Sequence, residues 1–201
     1  MADPTHHVTL LAQAALPTRF GEFNAAVFEV NGTPGEAMAL IRGRLDGDEP
    51  PLVRLHSECL TGDVLGSLRC DCGQQLEAAL ALIAEASSGV LLYLRQEGRG
   101  IGLANKIRAY ALQDTGLDTV DANLALGLPV DRREYASAAE ILRALGLRRV
   151  RLLTNNPLKS AALELHGIQV VERVPLAVRP NSVNRRYLRT KADRMGHLLA
   201  F

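Results

Sequence analysis

The sequence has no hydrophobic run approaching the ~20 residues that a membrane-spanning helix needs, so no membrane association is expected. Its opening residues, MADPTHHVTLLAQAALPTRF, lack a positively charged n-region, and their apolar stretch is short and interrupted. That pattern predicts no export signal. A dominant charge is missing too: 23 Lys and Arg face 22 Asp and Glu, with a pI near 7.8, so no nucleic-acid partner is expected. Cysteine is scarce and odd in number, at positions 59, 70 and 72 only. An odd, tightly clustered set without an export signal argues against a disulfide framework and for a reducing, cytoplasmic compartment. Lysine is scarce as well, with 3 Lys against 20 Arg. Arginine grips phosphate with a bidentate fork, which suits a polyanionic small ligand, although genome composition produces the same bias. No Gly/Ser linker, sustained repeat or break in composition divides the chain. What is present is 201 residues at 47% hydrophobic and 22% charged, enough for one globular domain over residues 1–201 with a sizeable core.

Patterning predicts β structure first. Residues 8–55 carry short apolar runs broken at turn signals such as Asn31-Gly32 and Asp46-Gly47. Helical spacing then appears over residues 74–86, with Leu76, Ala79, Leu80 and Ile83 on one face. A buried strand is expected over 89–94, and further helices over 103–113 and 136–145, the latter stopped by Gly146. Strand 150–153, helix 157–165 and strand 168–172 form a βαβ unit, which implies a parallel strand pair. The fold class is therefore α+β, a mixed β-sheet with flanking helices. The tail over 179–194 holds six basic residues against one acid and reads as a surface or flexible segment.

The cysteines stand in a polar setting, Arg54-Leu55-His56-Ser57-Glu58-Cys59 and then Cys70-Asp71-Cys72. Three thiols cannot complete an all-cysteine structural zinc site within one chain. Either His56 supplies a fourth ligand to a structural site, or water takes the fourth position and the site is catalytic. The polar neighbours Glu58, Arg69, Asp71, Gln74 and Gln75 favour the second. Without a metal, the three would be small buried hydrophobes, a common fate of free cysteine. An open zinc lowers the pKa of bound water from ~15.7 towards ~7. Three thiolates make this site less acidifying than an all-histidine one, so a neighbouring acid, base or donor is wanted. The H-x-E and P-C-x-x-C pattern of zinc nucleobase deaminases is absent.

Three stretches are candidates for phosphate. Gln96-Glu97-Gly98-Arg99-Gly100-Ile101-Gly102 joins a predicted strand to a predicted helix, where backbone N–H groups can approach an anion. Its spacing is neither the dinucleotide fingerprint nor a Walker A motif, and a tight turn without ligand explains it equally well. Thr154-Asn155-Asn156-Pro157-Leu158-Lys159 lies at a strand end, where open α/β sheets bind ligands. Its plainer reading is an asparagine N-cap. Asp131-Arg132-Arg133 is either a phosphate clamp or a solvated charged face.

Taken together, RLHSECLTGD at 54–63, SLRCDCGQQL at 67–76, RQEGRGIGLANKIRAYALQD at 95–114, DANLALGLPVDRREY at 121–135, RLLTNNPLK at 151–159 and RPNSVNRRYLRTKADRMGHLL at 179–199 closely resemble GTP cyclohydrolase II. The resemblance runs from about Leu16 to Leu199. It implies hydrolysis of GTP at carbon 8, releasing formate and pyrophosphate, as the first step of riboflavin biosynthesis. It also implies one Zn²⁺ per chain, Mg²⁺ with the GTP phosphates, and a homodimer. At 201 residues there is no room for the dihydroxybutanone phosphate synthase half fused to some members, so a stand-alone form is expected.

Carried over by position, the resemblance makes Cys59, Cys70 and Cys72 the zinc ligands. It assigns Arg54, Leu55, His56, Ser57, Glu58, Gln75, Glu97, Gly98, Arg99, Thr119, Thr154 and Lys159 to GTP. Asp131 matches the proton acceptor, Arg133 the nucleophile, and Tyr110 a tyrosine at the reacting purine. A guanidinium stays protonated and has no free lone pair, so Arg133 reads better as a stabiliser of transition-state charge than as a covalent nucleophile. Two other outcomes are a relative that opens the ring but keeps the formyl group, and a non-catalytic GTP-binding regulator with structural zinc.

Overall fold

The structure, a computed structural model, describes residues 7–31, 35–176 and 178–199. Contacts divide these into two compact units, the first within 1–56, 77–95 and 134–176, the second within 57–76, 96–133 and 177–201.

The first unit is built on a seven-stranded sheet. Its strands are β1 (Val8–Thr18), β2 (Gly21–Val30), β3 (Ala37–Arg42), β4 (Leu52–Ser57), β5 (Gly89–Leu94), β6 (Arg149–Leu153) and β7 (Gln169–Val174). They lie in the order β1-β2-β3-β5-β4-β6-β7. The pairs β1–β2, β2–β3 and β3–β5 are antiparallel, while β4–β6 and β6–β7 are parallel. The sheet is therefore mixed, as the α+β expectation required. Alternation explains the antiparallel part: Ala26, Phe28 and Val30 are buried while Glu29 between them is exposed. Strands β4 and β5 are buried almost throughout, the mark of central strands; β5 is also apolar almost throughout, whereas β4 buries the polar Arg54 and His56 among its leucines and valine.

Helix α1 (Cys72–Glu85) buries Ala79, Leu80 and Ile83. Helix α4 (Ala136–Ala144) puts Ala138, Ile141 and Leu142 into the same core as Val53, Leu55, Val90 and Leu92. Each fully buried Leu or Ile contributes roughly 1.5–3 kcal/mol. Helix α5 (Pro157–Leu165) starts where Asn156 accepts a hydrogen bond from the Leu158 N–H at 3.0 Å and Pro157 occupies the first turn. The parallel pair β6–β7 flanking α5 is the expected βαβ unit. Asp46-Gly47 falls in the irregular link between β3 and β4. Of the Asn31-Gly32 signal, Gly32 lies outside the described residues, as do residues 1–6 and 200–201.

The second unit holds α2 (Leu103–Asp114), α3 (Thr119–Ala125) and α6 (Arg185–Met195), with a π-type turn at Leu60–Val64 and a 3₁₀ turn at Glu97–Gly100. Neither α3 nor α6 was expected. Helix α3 is short, and its start is set by Asp118, whose carboxylate accepts from the Val120 and Asp121 N–H groups. The tail 179–194, read as surface or flexible from its charge, instead contains an amphipathic helix. Asn184, Leu188 and Lys191, spaced i, i+4 and i+7, share its buried face. Charge counting missed it because arginines crowd the opposite side.

Candidate metal centre and nucleotide-site residues

The π-type turn and the first turn of α1 bring the three cysteines together in the second unit. Their sulfurs all lie within 4.8 Å of one another, with Cys59 Sγ and Cys70 Sγ 3.7 Å apart. Tetrahedral zinc with bonds of ~2.3 Å separates its sulfurs by roughly 3.8 Å, so the spacing fits the ion. Glycine is needed beside it: a Cβ on Gly62 would lie 2.7 Å from Cys70 Sγ and 3.1 Å from Cys59 Sγ. Hydrogen bonds from the Cys70 and Cys72 thiols, aided by Lys106, hold the Cys59 thiol far below its ordinary range, while Cys70 and Cys72 are pushed up. His56, in the first unit, stacks its ring on Tyr93, with centroids 5.5 Å apart. Among the described residues the cluster offers three candidate ligands, the number typical of catalytic rather than structural zinc.

Lys106 ties this centre to the glycine-rich turn. Its Nζ donates to Cys59 Sγ at 3.0 Å and to Glu97 Oε1 at 2.8 Å. Glu97 also accepts from the Leu60 N–H at 2.7 Å and the Gly98 N–H at 2.8 Å. The N–H groups of Gly100 and Gly102 donate to the carbonyls of Gln96 and Glu97. Much of the loop's backbone hydrogen bonding is therefore consumed within the loop. Arg99 takes a left-handed conformation, φ 61°, uncommon for a residue with a side chain. Its guanidinium donates to Tyr187 Oη at 3.1 Å, and its carbonyl accepts from the Arg132 N–H at 3.0 Å.

Arg132 belongs to the loop of Asp131 and Arg133. Arg133 Nε donates to Asp131 Oδ1 at 2.9 Å. Burial raises the Asp131 carboxyl, but Arg133, with a smaller share from Arg99, outweighs it and holds the group below its usual range. Tyr110, on α2, is half-buried; Arg69 and Lys106 lie 5.0 and 5.9 Å from its ring centre. Burial pushes its phenol up to about 12 despite Lys106 and a hydrogen bond with Thr61. The Thr61 hydroxyl is itself 3.7 Å from Cys59 Sγ.

The remaining residues divide between the units. In the second, Ser57 and Glu58 are half-buried beside Cys59, Thr119 opens α3, and Gln75 on α1 donates to Asp71. In the first, Arg54 and Leu55 lie on β4 and His56 follows them. Arg54 donates to the Leu153 carbonyl at 3.0 Å, and Lys159 Nζ donates to the Leu55 carbonyl at 2.7 Å. Thr154 is buried, its hydroxyl accepting from the Asn156 N–H at 3.0 Å. Thr154 and Lys159 thus lie just past the carboxyl end of β6, the usual ligand position in such sheets, while Arg54 and Leu55 are mid-strand residues of β4 tied to them through the Leu153 and Leu55 carbonyls. Sequence reasoning named no role for Lys106, although lysine's rarity in the chain was a usable signal.

A family model described as GTP cyclohydrolase II matches residues 9–175. The GTP cyclohydrolase-2 of Histophilus somni (strain 2336) is 56% identical over 192 residues, covering 96% of this chain and 89% of that one. The riboflavin biosynthesis protein RibBA of Salinispora arenicola (strain CNS-205) is 60% identical over 195 residues, and that of Mycobacterium tuberculosis (strain ATCC 25177 / H37Ra) is 56% identical over 200. The chain spans about half the length of the RibBA relatives, 46% and 47%. With the family model matching most of its length and a relative of nearly its own size, the chain belongs to the GTP cyclohydrolase II family.

Proposed function

We propose that the chain acts as one GTP cyclohydrolase II domain, hydrolysing GTP at carbon 8 with release of formate and pyrophosphate and leaving a diaminopyrimidinone ribosylamino phosphate for riboflavin synthesis. The observation that carries this reading is the three-sulfur cluster with a neutral phenol and a buried ammonium around it. Cys59, Cys70 and Cys72 would hold Zn²⁺, one per chain, which when bound supplies a Lewis acid for water attack on the purine.

The chain's own groups have separable tasks. Tyr110, kept neutral by burial, donates a hydrogen bond to oxygen charge developing at carbon 8. Lys106 and Glu97 keep the Cys59 loop and the glycine-rich turn in register. GTP brings about four negative charges, partly offset by Mg²⁺, and Arg54, Arg99, Arg133 and Lys159 are the cations assigned to them. Thr154, Thr119, Gln75, Ser57, Glu58, Leu55, His56 and Gly98 complete the nucleotide set by family position. Asp131 holds Arg133 as an oriented guanidinium, which supports charge stabilisation at the α-phosphorus rather than covalent attack. A homodimer is part of the proposal. Edge strand β1 carries no charged residue from Val8 to Thr18 and leaves Leu10, Leu11 and Leu16 exposed, an edge suited to pairing with a second copy. Three free thiols fit the cytoplasm.

Incubation with GTP, Mg²⁺ and Zn²⁺, followed by mass analysis of all products, tests the reading. Formate and pyrophosphate in equal amounts are expected. A product that keeps the formyl group would assign the chain to ring opening alone, and GTP bound without turnover would make it a regulator.

A further inference from the structure

The three lysines of this arginine-rich chain are all buried: Lys106, Lys159 and Lys191 are 8%, 5% and 8% exposed. A buried ammonium persists where a specific partner compensates it. Lys106 and Lys159 lie on residues already discussed. Lys191 does not. It sits on α6, beyond residue 175 where the family match ends. Its Nζ donates to Asp71 Oδ1 at 2.8 Å, and the two side chains are 9% and 0% exposed. Asp71 is the residue between Cys70 and Cys72. Its second oxygen accepts from Gln75 Nε2, so both carboxylate oxygens are engaged.

The residues before α6 grip the same arm. Asn184 Nδ2 donates to the Cys70 carbonyl and Asn181 Nδ2 to the Leu68 carbonyl, each at 3.4 Å. The two asparagines brace one another: the Asn181 N–H donates to Asn184 Oδ1 at 2.9 Å, and the Asn184 N–H to Asn181 Oδ1 at 2.8 Å. Between the π-type turn and α1, residues 65–71 have no helix or strand of their own to fix them. An arm of that kind is costly to order, and a metal binding to it would have to supply the ordering itself.

We propose that Lys191, with the Asn181–Asn184 turn, is a positioning device that holds the Cys70-Asp71-Cys72 arm in ligand geometry before metal arrives. The chain beyond the matched family region is then part of the metal centre. With Lys191 removed, the Asp71 carboxylate is buried without its cation. The arm relaxes to hydrate it and carries Cys70 and Cys72 away from Cys59. The inference rests on the metal-centre reading above.

The test uses the full chain, wild type, Lys191→Met, Lys191→Arg and the double variant Asp71→Asn/Lys191→Met. Zn²⁺ affinity is measured by competition with a chromophoric chelator. The thiolate-to-metal band of the Co²⁺ form reports sulfur ligation, and circular dichroism of the metal-free chains reports folding. Lys191→Met should bind Zn²⁺ roughly 10–100-fold more weakly, the size of effect expected when a ligand-orienting partner is lost. Lys191→Arg should restore most of it, and the double variant should stay weak while folded. Wild-type affinity in a folded Lys191→Met or double variant overturns the positioning role alone. Unfolding of both makes the network a general folding element and also overturns it. A wild-type chain with no Co²⁺–thiolate band overturns the metal reading and this inference with it.

Discussion

Changing Tyr110 to Phe removes one oxygen and keeps the ring, which makes it a sharp test of the proposed chemistry. The cation contacts to the ring, Arg69 at 5.0 Å and Lys106 at 5.9 Å, do not need the hydroxyl. What is lost is the hydrogen bond with Thr61, about 0.5–1.5 kcal/mol. For a chain of this size that lowers Tm by roughly 1–6 °C. Loss of a donor aimed at developing negative charge costs far more in rate, ~10²–10³. The expected result is therefore formate release slowed ~10²–10³-fold in a folded enzyme that still binds GTP and releases pyrophosphate. The pH dependence follows from the phenol being pushed up to about 12. Its folded pKa lies above the unfolded value near 10, so its contribution to stability is complete below about pH 10 and is lost as pH rises through about 12. The donor consequently stays protonated across the working range, and no inflection due to Tyr110 should appear in the wild-type formate rate below about pH 10. Formate, pyrophosphate and Tm are read on the same preparation. Unchanged formate release would refute the donor role, and a Tm drop beyond ~10 °C would make Tyr110 a packing residue.

Three further outcomes are expected. Lys106→Met leaves Glu97 and the Cys59 thiolate buried without their cation and should cost about 3–5 kcal/mol in thermal unfolding of the chelated protein; adding Glu97→Gln should recover part of that, and a loss below ~1 kcal/mol would show that the pair carries little. Zinc-depleted protein should lose formate release yet still liberate pyrophosphate, because the Asp131–Arg133 pair uses none of the cysteines; loss of both products with GTP affinity intact would tie the two half-reactions together. Leu11→Lys places a charge on edge strand β1, at its irregularity between Leu10 and Ala12, and should shift sedimentation from dimer to monomer, whereas an unchanged dimer would move the interface elsewhere.

Much of the sheet-bearing unit was legible because its patterns are local. Strand 89–94 and helix 157–165 could be bounded from an apolar run closed by Gly89 and from the Asn156-Pro157 start signal. The cysteines were legible as a cluster for the same reason, being few and close in sequence. Helix α6 was not, because its buried stripe of Asn184, Leu188 and Lys191 is mostly polar and a hydrophobicity pattern cannot register it.

The sequence alone determined which residues could be soft metal ligands, that no fourth cysteine exists, and which motifs align with a cyclohydrolase. The surroundings of His56 were open until the fold stacked its ring on Tyr93. The glycine-rich turn is a further case, since only the packed structure shows its N–H groups bonded to Glu97 and Gln96. The partners of buried charges were decided the same way. Lys106 meets Cys59 across 47 residues and Lys191 meets Asp71 across 120. No local rule of spacing or propensity reaches that far. An ammonium's partner is chosen by which carboxylate or thiolate the folded chain buries beside it, and that is settled only when the elements pack.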